Sequence, residues 1–288
     1  MKYLIKRTLF YLIYLQIILL QKLFEIFGIK HFIKGDFFET LLVETTDINI
    51  GDSRIRFHTP NKTSKSRAQL IYTKEPETIN WISSFSSDSI FWDVGANVGT
   101  YSIYAAKTVE NIKVIAVEPS IENTYLLNRN ISENCLYDHI FCYPLALSSA
   151  GGPNMFKHKS IDFGGSMNAF GVDYGHDGRP ASFLHQYQVF GFKADDLNAI
   201  FGIPQPNYLK IDVDGIEHLI VRGAKRILSN SSLKSVLIEL NLEFGEQHDE
   251  VIDTLKECGL KLLSTHPPNL QQSGGPTANT YNYIFIRP

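Results

Sequence analysis

The sequence predicts an α/β fold, a doubly wound and mostly parallel sheet with helices on both faces. Two observations carry it. Near-continuous apolar runs recur at 89–94, 112–117, 140–147, 208–213 and 235–240, as strands buried on both faces require. Helix-like segments at 100–108, 122–134 and 216–228 separate them, and strand–helix–strand crossovers of one hand wind such a sheet doubly. With 288 residues, 44% hydrophobic, the chain can bury a core on each side.

Residues 1–34 carry Lys2, Lys6, Arg7, Lys22, Lys30 and Lys34 against Glu25 alone, a net +5 that leaves −8 for residues 35–288. The run Leu9–Leu20 is apolar except for Gln16, and Gln21, Lys22 and Glu25 follow it. That is short for a membrane span, and no small-residue cleavage site marks a signal peptide. Two readings stay open: a peripheral membrane helix whose cations meet anionic headgroups, or a helix packed on its own domain or a partner. Residues 35–87 read as a mixed lead-in. Short alternating strands flank Gly51-Asp52, residues 60–67 read as a polar loop, and a helix starts with Pro76 in its first turn. Residues 88–288 form the main domain, closed by a late strand at 281–286. Residues 151–192 interrupt its rhythm with eight glycines. Two segments there, 155–160 and 187–192, pair as a predicted hairpin, and the insertion reads as a substrate lid or pocket wall.

The overall charge of −3 excludes a generally basic nucleic-acid binder. Three cysteines without CxxC spacing exclude a disulfide scaffold and a zinc ribbon, and a reducing, cytoplasmic setting is the simplest expectation. Chemistry is first visible at Asp93-Val-Gly-Ala-Asn-Val-Gly99, a glycine-rich turn between a strand and a helix. The helix start offers free N–H groups to an anion, and glycines let a ligand approach the backbone. The spacing is neither GxGxxG nor a phosphate-binding Walker loop. About twenty residues on, Val114-Ile-Ala-Val-Glu-Pro119 ends a strand in an acid, where a carboxylate can accept ribose hydroxyls.

These two motifs resemble the class I S-adenosylmethionine-dependent methyltransferases, which have a Rossmann-like fold. Leu145-Ala-Leu-Ser148, Tyr208-Leu-Lys-Ile-Asp-Val-Asp-Gly-Ile-Glu-His218 and Val236-Leu-Ile-Glu-Leu-Asn241 are similar to the FkbM family within that class. The chain has Asp214 where many relatives carry Glu. The resemblance implies S-adenosyl-L-methionine as cofactor. Asp93, Gly95, Ala96, Asn97 and Gly99 would line its methionine end, Glu118 would hold the ribose, Leu145 and Ala146 would lie near the adenine, and Asp212 would face the sulfonium. It also implies O-methylation of a hydroxyl on a sugar, glycan or polyketide-like metabolite.

An alcohol nucleophile needs a proton acceptor. Asp212, Glu217 and His218 are the catalytic candidates, with Glu239 and His266 next, and no spacing diagnostic of a metal site is present. The alternatives are an NAD(P)-dependent oxidoreductase, against which the missing GxGxxG counts, and a non-catalytic membrane-docked binding protein.

Overall fold

Alternating apolar residues form the first hairpin, β1 (Thr45–Ile50) paired antiparallel with β2 (Ser53–His58). The computed structural model describes residues 44–51, 53–268 and 278–288, together with Leu15, Gln16 and Lys22. The chain divides into two units, residues 1–44 and 45–288. The apolar N-terminal run and its membrane reading thus lie largely outside the described residues. Among those described, no helix is long and apolar enough to cross a membrane.

The segment read as a polar loop is instead a helix, α1 (Lys62–Gln69). Asn61 and Ser64 form a capping box: the Asn61 side chain accepts from Ser64 N at 2.8 Å, and Asn61 N donates to Ser64 Oγ at 3.3 Å. Only Ser64 and Ala68 on it are buried, so its apolar content hardly announces it. Helix α2 (Pro76–Ser83) follows with Pro76 in its first turn and buries Ile79, Trp81 and Ile82. The lead-in therefore packs into the core of the main sheet, with Ile55, Phe57, Ile71 and Trp81 beside Phe91 and Val114.

The main domain continues as β3 (Ile90–Val94), α3 (Thr100–Thr108), β4 (Lys113–Val117), α4 (Ile121–Glu133) and β5 (Ile140–Tyr143). Sequence reasoning extends the fifth strand to 147. It ends at Tyr143, and β6 (Ala146–Leu147) pairs parallel with β9 in a second sheet. That sheet holds the insertion: β7 (Gly152–His158), β8 (Ala169–Phe170) and β9 (His185–Phe192). As expected of a hairpin, β7 and β9 are antiparallel, with Phe156 opposite Tyr187. Next come α5 (Ala194–Phe201), β10 (Tyr208–Ile211), α6 (Glu217–Arg222) and α7 (Lys225–Ser229). The single helix expected over 216–228 is thus two. They break at Gly223, where a Cβ would lie 2.3 Å from the Ser148 carbonyl oxygen. β11 (Ser235–Asn241), α8 (Gly245–Glu257), β12 (Lys261–His266) and β13 (Thr280–Ile286) complete the chain.

The seven-stranded sheet has the order β12-β13-β11-β10-β3-β4-β5. β13 alone runs antiparallel to its neighbours, so the predicted α/β class holds. From β3 the chain continues to β4 and β5 on one side and to β10 and β11 on the other, so a topological switch point lies between β3 and β10. A ligand cleft is expected at the carboxyl ends of such strands. The strands' two-residue period sorts their side chains. Trp92, Val94, Leu209 and Ile211 join one core, while Phe91 and Tyr208 join the other. Asp93 and Lys210, opposite each other in register, break that second apolar face. Ile211 pairs with Ile238, which brings Asp212 and Glu239 together one rung further on.

Candidate active site

A cavity of about 730 Å³ opens at the switch point, a size typical of small-molecule sites. Of the residues singled out from sequence, Gly95, Asn97, Glu118, Leu145, Ala146 and Asp212 line it. The others do not. Asp93 is sealed below and accepts from Ser102 Oγ at 2.6 Å. Ala96 is buried in the core and borders only a recess of about 40 Å³ beside the glycine turn.

The two glycines serve backbone packing rather than ligand approach. Both have φ of +84°. A Cβ on Gly95 would lie 1.8 Å from the Asp212 carbonyl oxygen, and one on Gly99 would lie 2.2 Å from Leu127 Cδ1. Asn97, also left-handed at φ 52°, turns its N–H to Glu118 Oε2 at 2.8 Å. Glu118 Oε1 accepts from Ser120 N at 2.9 Å. Burial pushes the Glu118 carboxyl up to about 7, against those two N–H donors.

Glu217 and His218 face away from the cavity. Glu217 accepts from Val213 N at 3.3 Å and Gly215 N at 3.1 Å, and Gln247 Nε2 donates to it at 2.8 Å. His218 Nδ1 lies 3.1 Å from the same Gln247 nitrogen, with its ring edge-on to Phe244. The left-handed backbone at Asp214 and Gly215 sends both side chains behind the strand ends, which spacing alone does not reveal. His266 borders a separate shallow groove beside Trp81.

Sequence reasoning also misses half of the charged centre. Carboxylate oxygens of Glu75, Asp212 and Glu239 lie within 4.8 Å of one another. Lys210, 1% exposed, donates to Asp212 Oδ2 at 2.6 Å, and its ammonium sits 5.1 Å from the centre of the Tyr101 ring. Lys74 donates to Glu75, and Thr78 Oγ1 donates to Glu75 at 3.2 Å. Burial alone would raise the Asp212 carboxyl, but Lys210 and Lys74 hold it well below the usual carboxylate range. Glu239 is the reverse: burial, then the charges of Asp212 and Glu75, push it well above. Three carboxylates and two ammonium groups thus share this centre, and of the three Glu239 is the one whose carboxyl is pushed up. Lys210 was legible, since it precedes Asp212 by two residues and so shares its face of the strand. Glu75 carried no such signal.

The cavity roof comes from the insertion. Gly165 O accepts from Asn97 Nδ2 at 2.8 Å and from Asn123 Nδ2 at 3.1 Å. Met167 N donates to Asp214 Oδ2 at 2.7 Å, and Arg67 Nε of α1 donates to Gly164 O at 2.6 Å. Gly165, Ser166, Met167 and Asn168 line the cavity, the position expected of a pocket wall.

Residues 93–262 match the family described as Methyltransferase FkbM domain. Hexuronic acid methyltransferase AglP of Haloferax volcanii is 24% identical over 173 residues, covering 60% of this chain and 64% of that protein. Methyltransferase sdnD of Sordaria araneosa is 28% identical over 192 residues, 56% of this chain and 70% of that protein. The chain thus spans less than two thirds of AglP's length. Among solved structures, methyltransferase FkbM of Methylobacillus flagellatus aligns at 13% identity and a TM-score of 0.45, over 70% of this chain and 44% of that one. The family match extends over more than half of this chain, from the glycine turn through the strands that end in Glu118, Asp212 and Glu239. On that ground the chain belongs to the FkbM methyltransferase family.

Proposed function

We propose that this methyltransferase uses S-adenosyl-L-methionine to O-methylate a hydroxyl on a sugar, glycan or polyketide-like metabolite. The observation that carries the reading is Glu118. It is buried at the end of β4, fixed by two backbone N–H groups, and open to the cavity beside the glycine turn. Each of its oxygens keeps a lone pair for a ribose hydroxyl. Leu145, Ala146 and Phe170 offer an apolar side for the adenine, and Asp212 closes the other end. The residues present therefore fit the cofactor. The name of the AglP relative favours a sugar acceptor.

The cofactor brings a methyl group already activated on sulfur. The chain has to align the acceptor oxygen, exclude water and take a proton. Asp212, held ionised by Lys210, is a weak base on its own, and Glu239 is the better proton acceptor once it has ionised. The pair would work as one unit: the Asp212–Glu239 carboxylates would take the hydroxyl proton as the acceptor oxygen is methylated. The reading is metal-free, since Lys74 and Lys210 already bring positive charge to the three carboxylates.

Calorimetry with S-adenosylhomocysteine and with NAD tests the cofactor; binding of NAD alone overturns the reading. Asp212→Asn and Glu239→Gln are each expected to lower kcat by about 10²–10⁴-fold. Glu239→Gln should also abolish the rise of kcat with pH. Full activity in both variants rules out the pair as base. Activity lost to a chelator and restored by magnesium refutes the metal-free route.

A further inference from the structure

The cavity is electrically two-sided. Its floor carries Glu118, Asp212, Asp214 and Glu239 at the strand ends. Another wall is α1, which lies outside the stretch matched by the family and borders the cavity with Lys62, Thr63, Ser66 and Arg67, the first three of them solvent-exposed at its mouth. These positions share one side of the helix, while Ser64 and Ala68 pack toward the core. Every polar group on that wall can donate a hydrogen bond. Lys62 and Arg67 have no carboxylate partner among the described residues, and Arg67 spends only its Nε, on Gly164 O. Lys74, one turn beyond, is committed to Glu75.

The cofactor's own carboxylate does not account for the whole wall. The recess beside the glycine turn is bordered by Arg67, Leu70, Lys74, Gly95 and Asn97. Lys62, Thr63 and Ser66 border the large cavity but not that recess. That leaves them to the part of the large cavity outside the recess.

We propose that the Lys62–Thr63–Ser66–Arg67 face of α1 recognises the methyl acceptor and that the acceptor carries an anionic group, a carboxylate or a phosphate, beside the hydroxyl to be methylated. The proposal rests on the methyltransferase reading. A cationic wall facing an acidic floor orients such a molecule: its anion goes to α1, and its hydroxyl swings to Asp212 and Glu239. A neutral acceptor would give the Lys62 ammonium and the Arg67 guanidinium no anion to bond directly. Arg67 also ties α1 to the roof through Gly164, so the anion would be held where wall and roof meet.

The test uses the full chain saturated with S-adenosylhomocysteine and three sugar probes: a methyl glucopyranosiduronic acid, glucose 1-phosphate and neutral methyl glucopyranoside. Binding is read by calorimetry or ligand-observed NMR. At least one anion should bind about tenfold tighter than the neutral glycoside, the scale of one charge-assisted contact, and the preference should shrink with added salt. Which anion wins separates a uronate from a sugar phosphate. The double substitution Lys62→Gln with Ser66→Ala touches no buried ion pair. It should remove the preference and leave S-adenosylhomocysteine affinity unchanged. Equal binding of neutral and anionic probes, no detectable binding of either anion, or a preference that survives the double substitution overturns the proposal. So does a variant that loses affinity for S-adenosylhomocysteine but not for 5′-methylthioadenosine, because the wall would then serve the cofactor's carboxylate. If the wild-type chain fails to bind S-adenosylhomocysteine, the cofactor reading falls, and the probe series on the free chain still decides the wall.

Discussion

Glu118 and Glu217 sit in matching places, each at a strand-to-helix turn of the same sheet. Both are buried, 5% and 3% exposed, both accept backbone N–H groups, and burial pushes both carboxyls up to about 7. Their surroundings differ in one respect. Glu118 keeps an open side toward the cavity, whereas Gln247 Nε2 closes over Glu217 at 2.8 Å. A perturbed, buried acid at a strand end is therefore no guide to a site unless something is left for a ligand to bond. Asp212, on the same turn as Glu217, shows a third outcome, in which a buried ammonium two residues earlier fixes the charge.

Removing that ammonium should produce the largest effect. Lys210→Met leaves the Asp212 carboxylate without its partner among other buried acids, which typically costs about 3–5 kcal/mol. Denaturant unfolding should show this loss near neutral pH, and it should shrink in acid as the carboxyls protonate. A variant as stable as the wild type would mean that water reaches the cluster freely. The closed turn comes second. Glu217 has a folded-state pKa of about 7 against 4.5 for the ordinary group. Its contribution to stability is fully present below about pH 4.5 and is lost as pH rises through 7. Glu217→Gln does not titrate, so between pH 4.5 and 8 its stability should gain on the wild type by up to about 3 kcal/mol. A difference that stays flat with pH would mean that Glu217 is not buried as a neutral acid.

The floor of the site was largely legible and the rest was not, for a physical reason. Gly95, Asn97, Glu118 and Asp212 are placed by runs of five or six residues, because a strand that ends in a turn delivers its last side chains to one edge of the sheet. Which way a side chain turns after that edge depends on single backbone angles. The φ of 64° at Asp214 and 121° at Gly215 carried Glu217 and His218 out of the cavity. Glu75 and α1 reach the site from a segment whose partners lie about a hundred residues away or more, at Asp212, Glu239 and Gly164. The capping box at Asn61 and Ser64 was the only local mark of α1, since so few of its residues are apolar.

The open turn predicts effects on ligand rather than on stability. Glu118→Ala should weaken S-adenosylhomocysteine binding by about 1–3 kcal/mol through loss of charge-assisted hydrogen bonds, while Glu217→Ala should change it little. Calorimetry on both variants sharpens the comparison, and equal losses would erase it.

The smallest effect is the most diagnostic. Ribose hydroxyls donate to the ionised form of Glu118, so binding draws on the fraction of chains in which that carboxyl has lost its proton. With the carboxyl at about 7 in the free chain, affinity should be level above pH 8 and fall below pH 7, approaching about tenfold per pH unit. The ligand 5′-methylthioadenosine shares the ribose and lacks the amino-acid tail, so it should follow the same slope. That separates Glu118 from groups that touch the methionine end. Glu118→Gln should bind more weakly and with no slope over this range, whereas Glu217→Gln should keep the wild-type slope. A slope that persists in Glu118→Gln would assign the proton to another group, and Asp214, also raised by burial and lining the same cavity, is the one to substitute next.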